Sequence, residues 1–248
     1  PTSIAREAIY TVLKEKYPTR RNLESPEAEF SVPLTIFGAK TYPQSLGQWF
    51  SLVVKTGLQI LVLKPYFHFL ILELNATDSR ILDFWLNITR PNIIVGVGNL
   101  PNHPQLTAEQ VVKIPQYETE FLTQFLETAA QIGEVFNIGP ETARLSLEKF
   151  ELPQGRLKFA AGKDGRFIID STYYFFPPPR QAIDELLKDL RGQKVILVEK
   201  TLQEEGVQIT LPVDPSTVAA QIERAEVVVV RGPRQQFQPI LEYLTPQL

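Results

Sequence analysis

The segment G-R-L-K-F-A-A-G-K-D-G-R-F-I-I-D-S-T-Y-Y-F-F-P, residues 155–177, determines how the chain is organised. Two short strand-like runs, 157–161 and 166–170, flank the sequence G-K-D-G, which is typical of a hairpin turn. The pattern of the chain changes between Glu151 and Gly155, just before this hairpin. We therefore predict a domain boundary near Glu151 and a hairpin that opens the second domain.

Apolar runs alternate with helical patterns after the hairpin. K-V-I-L-V (194–198) and E-V-V-V-V (226–230) are predicted as buried strands. Helices are predicted from Ile183 towards Gly192, from Asp214, and after Gln235. Strands that alternate with helices indicate an α/β fold with mainly parallel sheets.

The first 150 residues show the same alternation of helical spacing and continuous apolar runs. Such runs are typical of buried parallel strands. The predicted helices are 4–16, 45–62, 78–88, 107–130 with a kink at Pro115, and one opening at Pro140; the predicted strands are 32–37, 67–74 and 92–98. In the helix 78–88, one apolar face is predicted for Ile81, Leu82, Trp85 and Ile88.

Composition limits the class of protein. The chain has 248 residues, 44% hydrophobic and 21% charged, which fits a globular protein of one or two domains. A net charge of −3 argues against binding nucleic acid through phosphate contacts. Cysteine is absent, which excludes disulfides, thiolate metal sites and a cysteine nucleophile. The most apolar run, 57–74, contains Lys64, Pro65 and His68, so we expect no membrane span.

Four segments are distinctive: R-E-A-I-Y-T-V-L (6–13), F-S-V-P-L-T-I-F-G (30–38), L-I-L-E-L-N-A (70–76) and D-S-T-Y-Y-F-F-P (170–177). Together they resemble segments of Mur ligases, which are ATP-dependent enzymes that build the peptide stem of peptidoglycan by joining a carboxylate to an amine. R-E-A-I-Y-T-V-L (6–13) is similar to the helix that follows the family's phosphate-binding loop, and P-T-S (1–3) stands where that loop ends. F-S-V-P-L-T-I-F-G (30–38) is similar to a segment of the Mur ligase that adds the terminal dipeptide. L-I-L-E-L-N-A (70–76) resembles the strand whose glutamate coordinates Mg²⁺, and that glutamate is Glu73.

The resemblance extends along the rest of the chain. P-N-I-I-V-G-V-G-N-L-P-N-H (91–103) resembles the family pattern P-D-x-x-V-x-T-N-I-x-x-x-H and supplies Asn99 and His103. D-S-T-Y-Y-F-F-P (170–177) resembles D-D-x-Y-N-x-x-P. E-V-V-V-V-R-G-P-R (226–234) resembles D-x-V-L-V-K-G-S-R.

The resemblance implies a fold and a set of site residues. The fold would be a central P-loop-NTPase-like domain, residues 1–150, with a mostly parallel sheet flanked by helices. A smaller Rossmann-like α/β domain, residues 151–248, would follow. ATP and Mg²⁺ are the implied cofactors if the family site survives. The implied metal ligands are Glu73 and His103, and the implied nucleotide contacts are Asn99, Arg156, Asp170, Arg231 and Arg234.

The sequence departs from the family pattern at several positions. The Gly-rich Walker A loop and its phosphate-binding Lys are not in this chain. Pro115 stands at the position of a family lysine that is carbamylated, and proline cannot form a carbamate. Ser171 replaces the second Asp of D-D-x-Y-N-x-x-P, and Tyr174 replaces the Asn.

These departures predict a degenerate Mur-ligase-like protein of peptidoglycan precursor synthesis, in the cytoplasm, acting as a binding or partner subunit. The expected partners are an active ligase or an amidotransferase, and the expected ligand is of the UDP-muramoyl-peptide type. The alternatives are a fragment of an active ATP-dependent Mur ligase and a catalytically intact ligase. A dehydrogenase-like protein is disfavoured because no G-x-G-x-x-G follows a strand and opens a helix.

Overall fold

The computed structural model describes residues 2–22, 30–39, 43, 45–62, 69–74, 78–98, 106, 111–114, 121–173, 180–212 and 214–245. The chain divides into two compact units. We call Thr2–Gln116 with Leu122–Phe150 the N-terminal unit, and Glu151–Leu248 with Tyr117–Phe121 and Pro1 the C-terminal unit. Among the described helices, none combines the length and the apolarity that crossing a bilayer requires.

The described part of the N-terminal unit contains short parallel strand pairs and several helices. The elements are α1 (Thr2–Leu13), β1 (Thr19–Arg21), α2 (Ser31–Ile36), α3 (Leu46–Val62), β2 (Phe69–Ile71), α4 (Ser79–Thr89), β3 (Ile94–Val97), β4 (Val111–Ile114), α5 (Phe121–Val135) and α6 (Pro140–Leu147). Strand β1 pairs in parallel with β2, and β3 pairs in parallel with β4.

Helix α1 forms the core of this unit together with α5 and α6. Its buried face contributes Ala8, Ile9, Val12 and Leu13 to a cluster with Ala129, Ile132, Ile138 and Ala143. Gly133 lies where α5 approaches α1, because a Cβ at this position would come within 2.7 Å of Val12 Cγ1. The apolar spacing of α1 therefore fixes the helix against its neighbours and holds its first turn in place.

The C-terminal unit is built on one five-stranded sheet. Its elements are β5 (Lys158–Ala161), β6 (Phe167–Asp170), α7 (Arg180–Lys188), β7 (Lys194–Glu199), β8 (Val207–Ile209), α8 (Pro215–Gln221), β9 (Val227–Arg231) and α9 (Arg234–Leu244). The strand order is β5-β6-β9-β7-β8. Only the edge pair β5–β6 is antiparallel, and it forms the predicted hairpin.

Helices cover both faces of this sheet. Successive residues of β9 alternate between two apolar clusters: Val228 and Val230 pack with α8 and α9, whereas Val227 and Val229 pack with α7. All five residues of β9 are buried. A central parallel strand covered on both faces explains the continuous valine run, and the predicted α/β class is confirmed.

One predicted strand is a helix. Residues 31–36 form α2, although the β-branched sequence around Pro33 predicted a strand. The Leu34 amide donates to the Phe30 carbonyl (2.9 Å), and the Thr35 hydroxyl donates to the Ser31 carbonyl (3.0 Å). Proline is tolerated here because the first turn of a helix leaves its amides unpaired. Burial of Val32 and Leu34 then outweighs local strand propensity.

The predicted long helix 107–130 is also wrong at its start. Val111–Ile114 is strand β4, which pairs with β3 from Ile94 to Val97. Its β-branched residues suit a parallel ladder, and the Gly98 amide extends that ladder to the Ile114 carbonyl (2.9 Å). The predicted start of that helix at residue 107 and the predicted kink at Pro115 lie outside the described residues.

Helix α4 is confirmed, but its buried face differs from the prediction. The Asp78 carboxylate caps the helix by accepting from the Arg80 amide (2.9 Å). Trp85, Leu82 and Leu86 are buried, whereas Ile88 is 44% exposed. The buried face therefore includes Leu86 instead of Ile88. Tertiary packing, and not residue spacing alone, decides which side of the helix is buried.

Candidate functional site

Glu73 lies at the carboxyl ends of the paired strands β1 and β2. It follows β2 by two residues, and Asn22 follows β1 directly. The Asn22 side chain accepts from the Glu73 amide (2.9 Å) and donates to the Glu73 carbonyl (3.4 Å). These two hydrogen bonds fix the backbone of Glu73, so its side chain is aimed at the first turn of α1.

The Glu73 carboxylate is bound by three side chains of the first two turns of α1. The Thr2 hydroxyl donates to Oε1 (2.5 Å), and the Ser3 hydroxyl lies 2.9 Å from Oε1 and 3.0 Å from Oε2. Arg6 Nη1 donates to Oε2 (2.9 Å) in an ion pair whose two side chains are each 6% exposed. Both carboxylate oxygens therefore accept hydrogen bonds from the protein itself.

The ion pair continues into a chain of alternating charges. Arg6 also donates from Nε (3.1 Å) and Nη2 (2.9 Å) to Glu7. Glu7 in turn accepts from Arg21 Nε at 2.7 and 2.8 Å, and the Arg21 guanidinium lies 3.8 Å from the centre of the Tyr10 ring. Arg6 is thus held from two sides, which fixes its guanidinium against Glu73.

The donor set can be tested against Mg²⁺. One carboxylate and two hydroxyls are hard oxygen ligands of the kind that Mg²⁺ accepts. However, the Arg6 cation already neutralises Glu73, and a divalent ion on this carboxylate would be repelled by the adjacent guanidinium. Within the described residues, no group of three or more His, Asp or Glu side chains could hold a metal. The predicted ligand His103, like Asn99, lies outside the described residues and stays a prediction.

Asp170 and Arg234, both predicted as nucleotide contacts, lie together in the C-terminal unit. Asp170 ends β6, and its Oδ2 accepts from Arg234 Nη1 (2.5 Å) and from the Gly155 amide (3.0 Å). Its Oδ1 accepts from the amide (3.1 Å) and the hydroxyl (2.6 Å) of Thr172. Arg234 also donates to Gln154 (3.3 Å). The Asp170 carboxylate therefore links the segment before the β5–β6 hairpin to the end of β6.

Gly155 is required by this arrangement. Its φ of +71° is left-handed, and a Cβ there would lie 2.4 Å from the Thr172 carbonyl oxygen. Arg156, the next predicted nucleotide contact, is partly exposed, and its backbone amide donates to the Pro153 carbonyl (3.0 Å). The backbone around Arg156 is thus fixed by Asp170 and by a tight turn.

Arg231, at the end of β9, is paired with a carboxylate that the sequence did not single out. Its Nε and Nη2 each lie 2.6 Å from an oxygen of Glu204, and the side chain is almost fully buried. Nη1 also donates to the Ser171 hydroxyl (3.4 Å). Arg180 Nη1 approaches Glu204 at 3.8 Å. A buried arginine needs a counter-charge. Burial of Arg231 therefore requires a carboxylate nearby, and Glu204 is that carboxylate.

Tyr173 borders this pair at the carboxyl edge of the sheet. Burial raises the pKa of its phenol, and the carboxylates of Glu199 and Glu204 raise it further, while Arg231 acts in the opposite direction. The Glu199 carboxylate accepts from the amide and the hydroxyl of Thr201. The edge therefore gathers charged and polar groups from β6, β7 and β9, as expected where parallel strands end.

The fold defines the class of protein: a two-unit α/β chain with parallel strands and polar groups at their carboxyl ends. No family model and no curated protein matches the sequence. Solved structures of similar fold include MurF ligase from Thermotoga maritima in complex with ADP, at 14% identity and a TM-score of 0.58, covering 98% of this chain and 76% of that one.

A MurF ligase from Acinetobacter baumannii matches at 11% identity and a TM-score of 0.59, covering 96% of this chain and 72% of that one. A mutant of L. casei FPGS matches at 12% identity and a TM-score of 0.53, covering 93% and 87%. The chain therefore has the fold shared by MurF ligases and FPGS. The resemblance to Mur ligases predicted from the sequence is confirmed at the level of the fold.

The Arg6–Glu73 pair can be tested by removing one charge or both. Arg6→Met leaves a buried carboxylate without its cation, so we expect the free energy of unfolding to fall by about 3 kcal/mol. The double variant Arg6→Met, Glu73→Met should lose less, because no buried charge is then left unpaired. Urea denaturation measures both, and Arg144→Met, which removes two surface ion pairs, should change little. Equal losses for the single and double variants would contradict the coupling.

The structural demand on Gly155 can be tested against Gly165, which also has a left-handed φ of +76° but open space around its Cβ position. Gly165→Ala should lower the free energy of unfolding by about 1 kcal/mol through backbone strain alone. Gly155→Ala should cost at least about 2 kcal/mol more, because its methyl group collides with the Thr172 carbonyl. Thermal and urea unfolding measure this difference. Similar losses for both variants would show that the close approach is not rigid.

Proposed function

We propose that this protein is a degenerate Mur-ligase-like protein of peptidoglycan precursor synthesis, which binds a ligand or a partner protein and does not form amide bonds by itself. The likeness of fold to MurF ligases supports the family relationship. The observation that carries the proposal is the buried ion pair between Glu73 and Arg6. The carboxylate that the resemblance assigns to Mg²⁺ is neutralised by a side chain of the same chain.

The same pattern recurs in the C-terminal unit. Asp170 accepts hydrogen bonds from Arg234, Thr172 and the Gly155 amide. Arg231 forms an ion pair with Glu204. Phosphoryl transfer depends on cations and donors that are aimed at the phosphates. A charged side chain that is held in an internal ion pair can contact a nucleotide only after that pair breaks. Breaking the pair costs free energy.

Two substitutions inside the chain support the loss of ATP chemistry. Pro115 has no amine that could be carbamylated, although the resemblance places it at the family lysine. Ser171 has a hydroxyl where the family has a carboxylate, and this hydroxyl accepts from Arg231. Both changes remove groups that would contact the metal or the nucleotide in the family.

The retained fold supports a binding role in the cytoplasm. The apolar layers on both faces of the five-stranded sheet are complete, and polar groups line its carboxyl edge. A UDP-muramoyl-peptide-type ligand, or an active ligase or amidotransferase as partner, suits this interpretation. If Mg²⁺ and ATP bind, Glu73 would hold the metal with the hydroxyls of Thr2 and Ser3, and the metal would neutralise phosphate charge.

The second candidate is a portion of an active ATP-dependent ligase. It is favoured by the placement of the Thr2 and Ser3 hydroxyls within 3.0 Å of Glu73 at the first turn of α1. A hydroxyl at the start of a helix, together with a carboxylate after a strand, is the ligand pair that holds Mg²⁺ in P-loop NTPases. In that case Arg6 would have to leave Glu73 when the metal binds.

Titration with Mg-ATP tests whether this chain retains a nucleotide site. For the degenerate protein we expect no Mg²⁺-dependent rise in melting temperature and no ATP turnover. A bound ligand at a hundredfold excess over its Kd would instead add about 2.7 kcal/mol of stability. Calorimetry on the wild type, on Glu73→Gln and on the surface control Glu141→Gln measures the effect. A Mg²⁺-dependent shift that Glu73→Gln abolishes and Glu141→Gln retains would contradict the proposal and favour the active ligase.

A further inference from the structure

Helix α3 turns an apolar face to solvent. Five large apolar side chains along it are 44–89% exposed: Leu46, Phe50, Val53, Val54 and Leu58. Their spacing of three and four residues places them on one side of the helix. Buried Thr56 lies on the opposite side. Apolar residues of a surface helix normally face the core, so an exposed apolar face of this length is unusual.

Two glycines lie within the same exposed arc. Gly47 and Gly57 are inside the helix, and a Cβ added at either position would meet no atom within 4 Å. Glycine destabilises a helix relative to alanine, and among the described residues no packing contact requires glycine at these two positions. Small residues on a helix face allow a second helix to approach closely. The glycines are therefore an indication, independent of exposure, that this face meets another backbone.

The charge of α3 indicates which kind of surface packs against its exposed apolar face. Lys55 is the only charged residue of the helix, and it lies outside the apolar arc. Helices that lie on membrane surfaces carry many Lys and Arg residues on their polar face, and α3 does not. A charged protein surface also finds no complement here. An uncharged apolar face of the same kind matches best, and a second copy of this helix supplies one without repulsion between like charges.

The sequence of the face is symmetric about Leu52. In an antiparallel pair of helices centred there, Leu46 of one copy lies opposite Leu58 of the other, and Phe50 lies opposite Val54. The same register places Gly47 opposite Gly57. Phe50 thus meets a smaller side chain, and the paired glycines leave room for the two helices to approach, as ridges packed into grooves require. A two-fold interface needs this self-complementarity, because the same patch is used by both copies.

The exposed apolar area is large enough to form the core of such an interface, to which a polar rim adds the remaining area. The five apolar side chains expose on the order of 500 Å² per copy, and a standard interface buries roughly 800 Å² per partner including its polar rim. We propose that the exposed face of α3 is a homodimerisation surface, on which α3 of a second copy packs in antiparallel orientation. This inference is independent of the function proposed above.

Sedimentation of the whole chain tests the proposal. The wild type should be a dimer, and Phe50→Asp should weaken dimerisation by at least about a hundredfold, because a charge replaces the central aromatic residue. Leu145→Asp, at an exposed leucine of α6, should leave the dimer intact. Circular dichroism should show both variants folded. A monomeric wild type, or a folded Phe50→Asp variant that remains fully dimeric, would overturn the proposal.

Single cysteines test the orientation, since the chain has none of its own. Val53→Cys lies beside the two-fold axis and should be crosslinked to its counterpart by a short bis-maleimide. Lys55→Cys is exposed on the same helix outside the apolar arc and should react far less. Equal crosslinking of both would contradict the antiparallel packing. A monomer that sediments with anionic phospholipid vesicles would overturn the dimer and assign the face to lipid.

Gly57→Ala gives a discriminating measurement. Alanine favours the helix and finds open space within the chain, so the isolated monomer should become more stable. The added methyl group should hinder the second helix and raise the dimer dissociation constant by about tenfold or more. An increase in stability with an unchanged dissociation constant would contradict close packing at this face.

Discussion

The ion pair between Arg6 and Glu73 connects the first helix of the chain to the end of its second strand. Sixty-seven residues separate the two side chains, and both are buried. Glu7, which Arg21 holds in turn, binds the guanidinium from the other side, and the hydroxyls of Thr2 and Ser3 donate to the carboxylate. A buried charge of this kind is costly when it is unpaired, so the network holds α1 in one register.

The C-terminal unit contains two further ion pairs that involve a buried charge. Asp170 joins Gly155, Thr172 and Arg234, and Glu204 neutralises Arg231. In each case a side chain that the resemblance assigns to ATP or Mg²⁺ also carries a structural contact. The fold of a ligase is thus compatible with a site whose charges are satisfied internally. This is why likeness of fold alone does not settle activity.

The sequence predicted the elements whose pattern has only one physical solution. The valine run of β9 fits only a strand buried on both faces, and the glycines around Lys163 fit a hairpin turn. Residues 31–36 and 111–114 were predicted wrongly, because burial and pairing with β3 overrode local preference. Short segments carry too few residues for periodicity to decide between helix and strand.

The site was predictable only in part. The resemblance identified Glu73, Asp170, Arg231 and Arg234, but no spacing in the sequence indicated that Arg6 or Glu204 would bind them. Those pairings join positions 67 and 27 residues apart, and they depend on how the strands are ordered. Local patterns do not contain that information. The sequence predicted helix α3 itself. The exposure of its apolar face follows only from the tertiary structure.

The most direct measurement is anomalous diffraction from crystals of the whole chain soaked with Mn²⁺ and ATP. If Arg6 takes the place of a metal at Glu73, no manganese peak should lie at the carboxylate, and Arg6 Nη1 should remain within hydrogen-bonding distance of Oε2. A peak within coordination distance of a Glu73 oxygen, with Arg6 turned away, would contradict this. It would show that the ion pair is a resting state of a metal site.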